Sequence, residues 1–251
     1  MSTHFLGRIH GFYQREISVL AYRRPCVIAP RRPVISFTFD DFPSTALENG
    51  GGILKRYGVA GTYYASLGLC GQDSPSGRIF VEDDVEQLLA QGHELGCHTF
   101  SHCHSWDTDA DVFENAILRN QEALRKLIPG AAFKSFSYPI SQPRPRTKAR
   151  TARYFQSCRG GGQKINEKIA DLNYLAAFFL EKTGNNFDPV KAIIDYNKQA
   201  RGWLVLATHD VCDDHGLYGC TPDFFERVVA YAVQSGGDVL TVNQAVEKLA
   251  A

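Results

Sequence analysis

The sequence lacks a long apolar run, an excess of charge of either sign and a regular cysteine framework. No apolar segment approaches the roughly 20 residues that span a membrane, and the first 20 residues contain no continuous apolar core of a signal peptide. Lys plus Arg and Asp plus Glu number 27 each, which excludes a global attraction to nucleic acid or acidic lipid. The seven cysteines include no CxxC pair, which is typical of a reducing compartment. We therefore expect a cytoplasmic protein with no membrane span and no nucleic-acid partner.

The composition is that of a folded protein with a large apolar core. The chain has 251 residues, 44% of them hydrophobic and 22% charged, which suits one large domain or two small ones. No repeat or linker divides it. Residues 17–22 resemble a short strand, and arginines and prolines fill the positions up to Pro33. We expect a solvated N-terminal arm over residues 1–33 and one domain over residues 34–251.

Predicted strands and helices alternate along this domain. The strands cover residues 34–39, 61–66, 93–97, 133–138, 154–158, 203–208 and 238–241. The helices cover residues 46–57, 82–91, 109–127, 144–153, 189–199, 222–234 and 242–249. The apolar segment 172–180 is consistent with either a strand or a helix. Such alternation predicts an α/β protein with a parallel sheet, and the strand number favours an incomplete TIM-like barrel. The active site then lies at the carboxyl ends of the strands.

The stretch VISFTFDDFP is the most informative part of the chain. Val34–Phe39 reads as a strand buried on both faces, and it ends abruptly at Asp40 and Asp41, after which Pro43 prevents its continuation. Two adjacent carboxylates at a buried strand end are costly unless a metal ion or a proton occupies the site. The alternative is that they cap the next helix or face water.

Histidines follow two other predicted strands. His98 and His102 are spaced i, i+4, which on a helical turn brings both imidazoles within reach of one ion. An oxygen ligand such as Asp41 would complete a set of three protein ligands. Three protein ligands leave coordination positions open for water and substrate, as in catalytic sites. Zn, Co, Mn and Ni all accept such mixed nitrogen and oxygen ligands. His209 follows the strand 203–208. The alternative for His98 and His102 is a chance or surface pair. The alternative for His209 is a buried, hydrogen-bonded histidine.

These motifs resemble a known family. TFDD, GHELGCHTFSH, FSYP and LVLATHD occur in the order and spacing of the polysaccharide deacetylase family, which carries the NodB homology domain and forms carbohydrate esterase family 4. The resemblance runs from about Val34 to the C-terminus and is weaker over residues 142–200. It implies a distorted (β/α)7 barrel and removal of an N- or O-acetyl group from a sugar.

The resemblance also implies roles for individual residues. Asp40 would be the general base, Asp41, His98 and His102 the metal ligands, and His209 the general acid that protonates the leaving amine.

The third motif and its surroundings supply further candidates. The resemblance implies that Tyr138, Pro139 and Ile140 contact the substrate, with the Ile140 N–H as the oxyanion donor. Trp106 could stack on a sugar ring or simply be a packed surface tryptophan.

The sequence departs from the family pattern at two motifs. Ser137 stands where many members have an arginine, so the contact of that arginine with the base is expected to be missing. The fourth motif has no clear counterpart, and Asp171 and Asp210 are the candidates to orient His209. The run Gly160–Gly162 is not followed by the helix and Lys-Ser/Thr of a phosphate-binding loop.

Taken together, these observations predict a metal-dependent polysaccharide deacetylase that acts on a carbon–nitrogen bond other than a peptide bond. We expect zinc as the ion, with cobalt, manganese or nickel as alternatives. The expected partner is a carbohydrate: a polysaccharide, an oligosaccharide or a glycolipid. One alternative is a hydrolase of linear or cyclic amides on the same scaffold. The other is an inactive carbohydrate-binding relic.

Overall fold

The computed structural model describes residues 17–140 and 142–250. Its strands are β1 (Pro25–Ile28), β2 (Val34–Phe39), β3 (Thr62–Ala65), β4 (Asp73–Ser74), β5 (Gly77–Arg78), β6 (Glu94–Cys97), β7 (Ser135–Ser137), β8 (Ser157–Arg159), β9 (Lys168–Asp171), β10 (Phe178–Phe179), β11 (Trp203–Thr208) and β12 (Asp238–Val239). The main sheet runs β10–β11–β2–β3–β6–β7–β8, all parallel, with β12 paired to β2 as well.

Helices connect these strands. They are a π-helix (Ala46–Gly51), α1 (Gly52–Arg56), α2 (Glu82–Ala90), α3 (Ala110–Leu127), α4 (Pro145–Thr151), α5 (Phe187–Ala200), α6 (Pro222–Gln234) and α7 (Val242–Ala250), with 3₁₀ turns at Leu67–Leu69 and Leu180–Thr183. No helix among residues 17–140 and 142–250 is long and apolar enough to cross a membrane.

Strand β2 lies in the centre of the sheet, and all six of its residues are buried. It pairs with β11 in register from Val34–Trp203 to Phe39–Thr208. Because the paired parallel strands end at the same edge, the residues that follow β2 and β11 meet there. The same edge receives the residues that follow β6 and β7.

Aromatic side chains fill the core beneath this edge. The Phe39 ring stacks on Tyr63 with ring centroids 4.4 Å apart, and Phe42 stacks on Phe80 at 4.7 Å. Each ring is fully buried, which contributes roughly 1.5–3 kcal/mol per phenylalanine. Trp203 is also fully buried, and its Nε1–H donates to the Ser36 hydroxyl at 3.0 Å. This packing fixes the strand that carries the two aspartates.

The predicted barrel fold is confirmed, and most predicted strands correspond to observed ones. Six of them lie on the main path of the sheet, whereas 238–241 corresponds to β12, beside that path. The seventh strand of the path is β10, in the segment 172–180 that the sequence left ambiguous. That segment is otherwise irregular, because its backbone groups pair with β8 and the following loop rather than within one element.

The N-terminal region differs from expectation. Residues 17–20 are helical, so the predicted strand over 17–22 is wrong. Strand β1 pairs antiparallel with β9, and neither strand was predicted from the sequence. The division at residue 33 stays a prediction, and residues 1–16 of the expected arm lie outside the described residues.

Candidate active site

Two acids at the end of β2 form the centre of the site. Asp40 and Asp41 are both buried, and the backbone turns sharply after Asp40, with φ of 62° at Asp41 and 54° at Phe42. A positive φ is uncommon for a bulky residue such as phenylalanine. The turn directs the two neighbouring carboxylates toward different partners.

Asp41 meets the two histidines of the loop that follows β6. Its Oδ1 lies 3.1 Å from His102 Nε2 and 3.6 Å from His98 Nε2. The three side chains each offer one ligand atom, and these atoms lie within 4.8 Å of one another. The structure therefore brings together the three predicted metal ligands.

The hydrogen bonds around these residues orient them. His98 Nδ1–H donates to the Ser137 carbonyl at 2.8 Å, which assigns the tautomer and leaves the Nε2 lone pair facing Asp41. Burial lowers the pKa of His98 to about 4, so the ring is neutral, as a metal ligand must be. Asp41 Oδ2 accepts from the Ser76 hydroxyl at 2.7 Å.

The remaining oxygen of Asp41 provides a test of fit for a cation. Asp41 Oδ1 is buried and accepts no hydrogen bond from the described residues. A buried carboxylate oxygen without a partner is costly. One carboxylate oxygen and two imidazole nitrogens converge on one point, which is the mixed oxygen and nitrogen set that divalent ions such as zinc take. The residues present therefore fit a divalent metal ion.

Asp40 has a different environment. Its Oδ1 accepts from the Arg159 guanidinium and from the Ser137 hydroxyl, the latter at 3.2 Å. Arg159 is buried, and it also donates to Ser137 Oγ at 2.5 Å. Burial raises the pKa of Asp40, but the positive charge of the Arg159 guanidinium outweighs burial and holds the pKa well below its usual range. Asp40 is therefore an ionised, oriented carboxylate.

This contact corrects one expectation from the sequence. Ser137 stands on β7 where many family members have an arginine. Arg159 takes the place of that arginine and reaches Asp40 from β8, the strand paired with β7. Ser137 is small enough to leave room for this side chain and bonds to it. A charged residue directly after the predicted strand 154–158 was the available signal.

His209 directly follows β11 and lines the same cavity as Asp40. Its Nδ1–H donates to the Tyr218 carbonyl at 3.2 Å, which leaves Nε2 as the nitrogen that can carry and release a proton. Glu181 Oε1 lies 4.0 Å from Nδ1. Burial raises the pKa of Glu181 to about 7, an effect that the neighbouring His209 opposes.

Glu181 occupies the place expected for Asp171 or Asp210. Asp171 instead forms a buried ion pair with Lys148, and Asp210 accepts from the Thr45 hydroxyl. Glu181 gave no sequence signal because it follows the ambiguous segment 172–180, where no strand end could be assigned.

The loop after β6 also differs from the predicted helical turn. Residues 98–102 are irregular, with φ of 63° at Thr99 and 51° at His102. The two histidines share one point because of these left-handed residues, not because of helical spacing. Ile140 at the third motif also has a positive φ, 67°. Backbone strain of this kind clusters at functional sites.

One cavity of about 1130 Å³ contains the site. Asp40, the three candidate ligands, His209, Tyr138 and Ile140 all line it. Pro139 is buried beside the cavity, and its carbonyl accepts from Ser105 Oγ at 2.8 Å. Trp106 lies outside the cavity lining, with the Arg144 guanidinium 5.7 Å from its ring centroid.

The sequence is similar to those of known proteins. A sequence profile described as Polysaccharide deacetylase matches residues 28–155. Over 96 residues the chain is 29% identical to a peptidoglycan-N-acetylglucosamine deacetylase from Bacillus cereus. The match covers 38% of this chain and 41% of that relative, so it spans about two-fifths of the relative's length.

Solved structures share the fold. A family 4 acetyl xylan esterase from Clostridium thermocellum, in complex with a cobalt ion, superposes with a TM-score of 0.58 and 19% identity, covering 84% of this chain and 89% of that one. A mutant of a CE4 family pseudoenzyme from Bacillus anthracis, with restored enzymatic activity, superposes with a TM-score of 0.62 and 12% identity, covering 88% and 70%. At these identities the likeness establishes the fold alone.

Proposed function

Because the chain belongs to the polysaccharide deacetylase family, we propose that it is a metal-dependent hydrolase that removes the acetyl group from an acetamido sugar. The observation that carries this proposal is the convergence of Asp41, His98 and His102 in the cavity that also holds Asp40 and His209. These are the groups that amide hydrolysis requires: a cation site, a base and an acid.

Asp41, His98 and His102 would hold the ion, for which zinc is our first choice and cobalt, manganese or nickel the alternatives. A divalent ion held by these residues would lower the pKa of bound water and polarise the acetyl carbonyl. Asp40 accepts the proton of the attacking water. Its contacts with Arg159 and Ser137 support that role, since they keep the carboxylate ionised and oriented.

His209 would protonate the departing amine through Nε2. The Tyr218 carbonyl accepts from Nδ1–H and orients the ring, and the Glu181 carboxylate lies 4.0 Å from Nδ1. The Ile140 N–H would donate to the developing oxyanion, with Tyr138 and Pro139 shaping that wall. Trp106 has no part in this proposal because it lies away from the cavity.

Two other functions remain as outcomes of the test. The same groups could hydrolyse a linear or cyclic amide that is not a sugar. The second of these functions is carbohydrate binding without turnover. We keep it as an outcome because a pseudoenzyme shares this fold.

The deciding experiment measures acetate release from N-acetylated chito-oligomers by protein loaded in turn with zinc, cobalt, manganese or nickel. Hydrolysis of a panel of cyclic ureides and linear amides is measured in parallel, and Asp40→Asn serves as the inactive control. Acetate release that the control lacks supports the proposal. Hydrolysis of the non-sugar amides alone, or sugar binding without acetate release, would replace it.

We also propose that the protein works in a reducing compartment such as the cytoplasm. All seven cysteines lie among the described residues, and none is paired. Titration of thiols in denatured protein isolated from its native host should find seven, and fewer would argue against this location.

A further inference from the structure

Three exposed aliphatic side chains, Val19, Leu20 and Ile169, line the cavity that contains the candidate metal site, among charged residues such as Arg23 and Lys164. Val27 and Ile169 are directly paired between β1 and β9, so their side chains lie on the same face of this two-stranded ribbon. Val19 and Leu20 belong to the helical turn that precedes the ribbon. We call these four residues the distal aliphatic cluster; their exposed fractions are 43% for Val19, 70% for Leu20, 66% for Val27 and 57% for Ile169.

The cluster is held in place by a buried ionic contact. Lys148 is completely buried, and its Nζ donates to the Ser18 carbonyl at 2.9 Å and to Asp171 Oδ2 at 2.7 Å. Asp171 Oδ1 accepts from the Arg24 N–H, and Ser18 Oγ donates to the Pro143 carbonyl at 2.6 Å. These bonds tie residues 18–24 to β9 and to the loop before α4. The aliphatic side chains are thus exposed on a fixed surface.

The cluster and the catalytic groups share one cavity. Val19, Leu20 and Ile169 line the space that Asp40 and His209 also line. Its volume of about 1130 Å³ exceeds the roughly 300–1,000 Å³ of most ligand pockets. A molecule whose acetamido group reaches Asp40 and His209 therefore has room to extend to the cluster. The continuity of the cavity identifies the occupant as the rest of the substrate.

The chemistry of the cluster points to an apolar part of that substrate. Aliphatic side chains supply no hydrogen bonds to sugar hydroxyl groups, whose desolvation without compensation is unfavourable. Exposed apolar patches of this kind mark sites where an apolar partner binds. Resting on the proposed function, we propose that the substrate is an amphiphilic acetamido glycoside, a glycolipid, whose hydrocarbon tail lies on the distal aliphatic cluster.

The test compares the methyl and octyl β-glycosides of N-acetylglucosamine, with the octyl compound below its critical micelle concentration. Each methylene group removed from water changes an equilibrium constant by roughly fourfold. Since at least two methylene groups would bind, we expect kcat/KM for the octyl glycoside to exceed that for the methyl glycoside by at least about tenfold.

The double variant Leu20→Ser, Ile169→Ser tests whether the cluster causes this preference. Both side chains are exposed, so the substitutions should leave the fold intact. We expect the octyl-to-methyl ratio to fall to about threefold or less. Leu118→Ser is the matched control, because Leu118 is an exposed leucine of α3 that does not line the cavity, and it should keep the wild-type ratio.

Several outcomes would overturn the inference. Equal kcat/KM for both glycosides would show that no tail binds, and a higher value for chito-oligomers than for the octyl glycoside would make an oligosaccharide rather than a glycolipid the substrate. A ratio unchanged in the double variant would remove the cluster as its cause. A dimer that the double variant dissociates would assign the cluster to a second copy of the chain. In each case acetate release from the methyl glycoside would leave the proposed function standing, whereas no release from any substrate would refute both.

Discussion

Two carboxylates that are neighbours in the sequence have different surroundings in the fold. Asp40 contacts a buried guanidinium and a hydroxyl, whereas Asp41 contacts two imidazoles and Ser76. The left-handed backbone at Asp41 separates their directions. The surroundings of each aspartate, rather than the residue type, thus decide that Asp40 is the proposed base and Asp41 the proposed metal ligand.

The first prediction concerns Asp40. Asp40→Asn should lower kcat by roughly 10²–10⁴-fold, because the amide cannot accept the proton of the attacking water. Metal content, measured by elemental analysis, should stay at the wild-type level, since Asp40 is not among the three candidate ligands. Loss of the ion together with activity would exchange the roles of the two aspartates.

A second prediction tests the ligand set. His102→Ala should weaken metal binding by more than the roughly 10–100-fold that follows loss of an outer-shell partner. Elemental analysis after dialysis against a weak chelator measures this. His104→Ala is the matched control, because His104 lies two residues away and contacts Asp107 instead. Equal metal loads in both variants would remove His102 from the ligand set.

A third prediction separates the acid from the base. His209→Ala should lower kcat by roughly 10²–10⁴-fold on an acetamido sugar, whose amine leaving group needs a proton. With 4-nitrophenyl acetate, whose phenolate leaves without protonation, the loss should be much smaller. Equal losses on both substrates would mean that His209 does something other than protonate the leaving group.

At the scale of elements, the ribbon of β1 and β9 depends on a buried ion pair. Lys148 on α4 and Asp171 on β9 are both buried, and together they hold the helical turn at residues 17–20 against the domain. Removing one partner of such a pair leaves an uncompensated charge in the interior.

Lys148→Met should therefore reduce the free energy of unfolding by about 3–5 kcal/mol, measured by urea denaturation. Lys191→Met is the comparison, since Lys191 pairs with Asp195 on the exposed surface of α5, and its urea midpoint should barely change. If both variants lose the same stability, the ribbon is not anchored by this pair.

At the scale of the whole molecule, stability should depend on pH through a histidine remote from the site. His93 is buried after α2, and its Nδ1 accepts from the Gly61 N–H at 3.0 Å. Burial lowers the pKa of His93 to about 4. The unfolded chain takes up this proton near pH 6.5 and the folded chain only near pH 4, so protonation favours unfolding between these values.

The free energy of unfolding should accordingly fall by about 2–3 kcal/mol from this group as the pH drops from 6.5 to 4. His93→Gln has no titrating ring and should lack this part of the slope. Urea denaturation at a series of pH values measures both proteins, and parallel curves would exclude His93 as the cause.

The sequence by itself determined the alternating strands and helices, the burial of β2 and β11, and the polar residues that follow them. These features depend on residues close together in the chain, since side-chain periodicity decides which face of a strand is buried. The parallel sheet follows from these features, and it brings Asp41 and the loop of the two histidines to the same edge, because parallel strands end there.

The tertiary structure alone decided which distant side chains complete the site. Arg159 reaches Asp40 from β8, and Glu181 approaches His209 from the 3₁₀ turn that follows β10. Neither contact follows from local pattern, because a carboxylate can be paired from any neighbouring element that packing brings within reach. The ribbon of β1 and β9, which carries part of the distal aliphatic cluster, is likewise fixed by pairing across more than a hundred residues rather than by propensity.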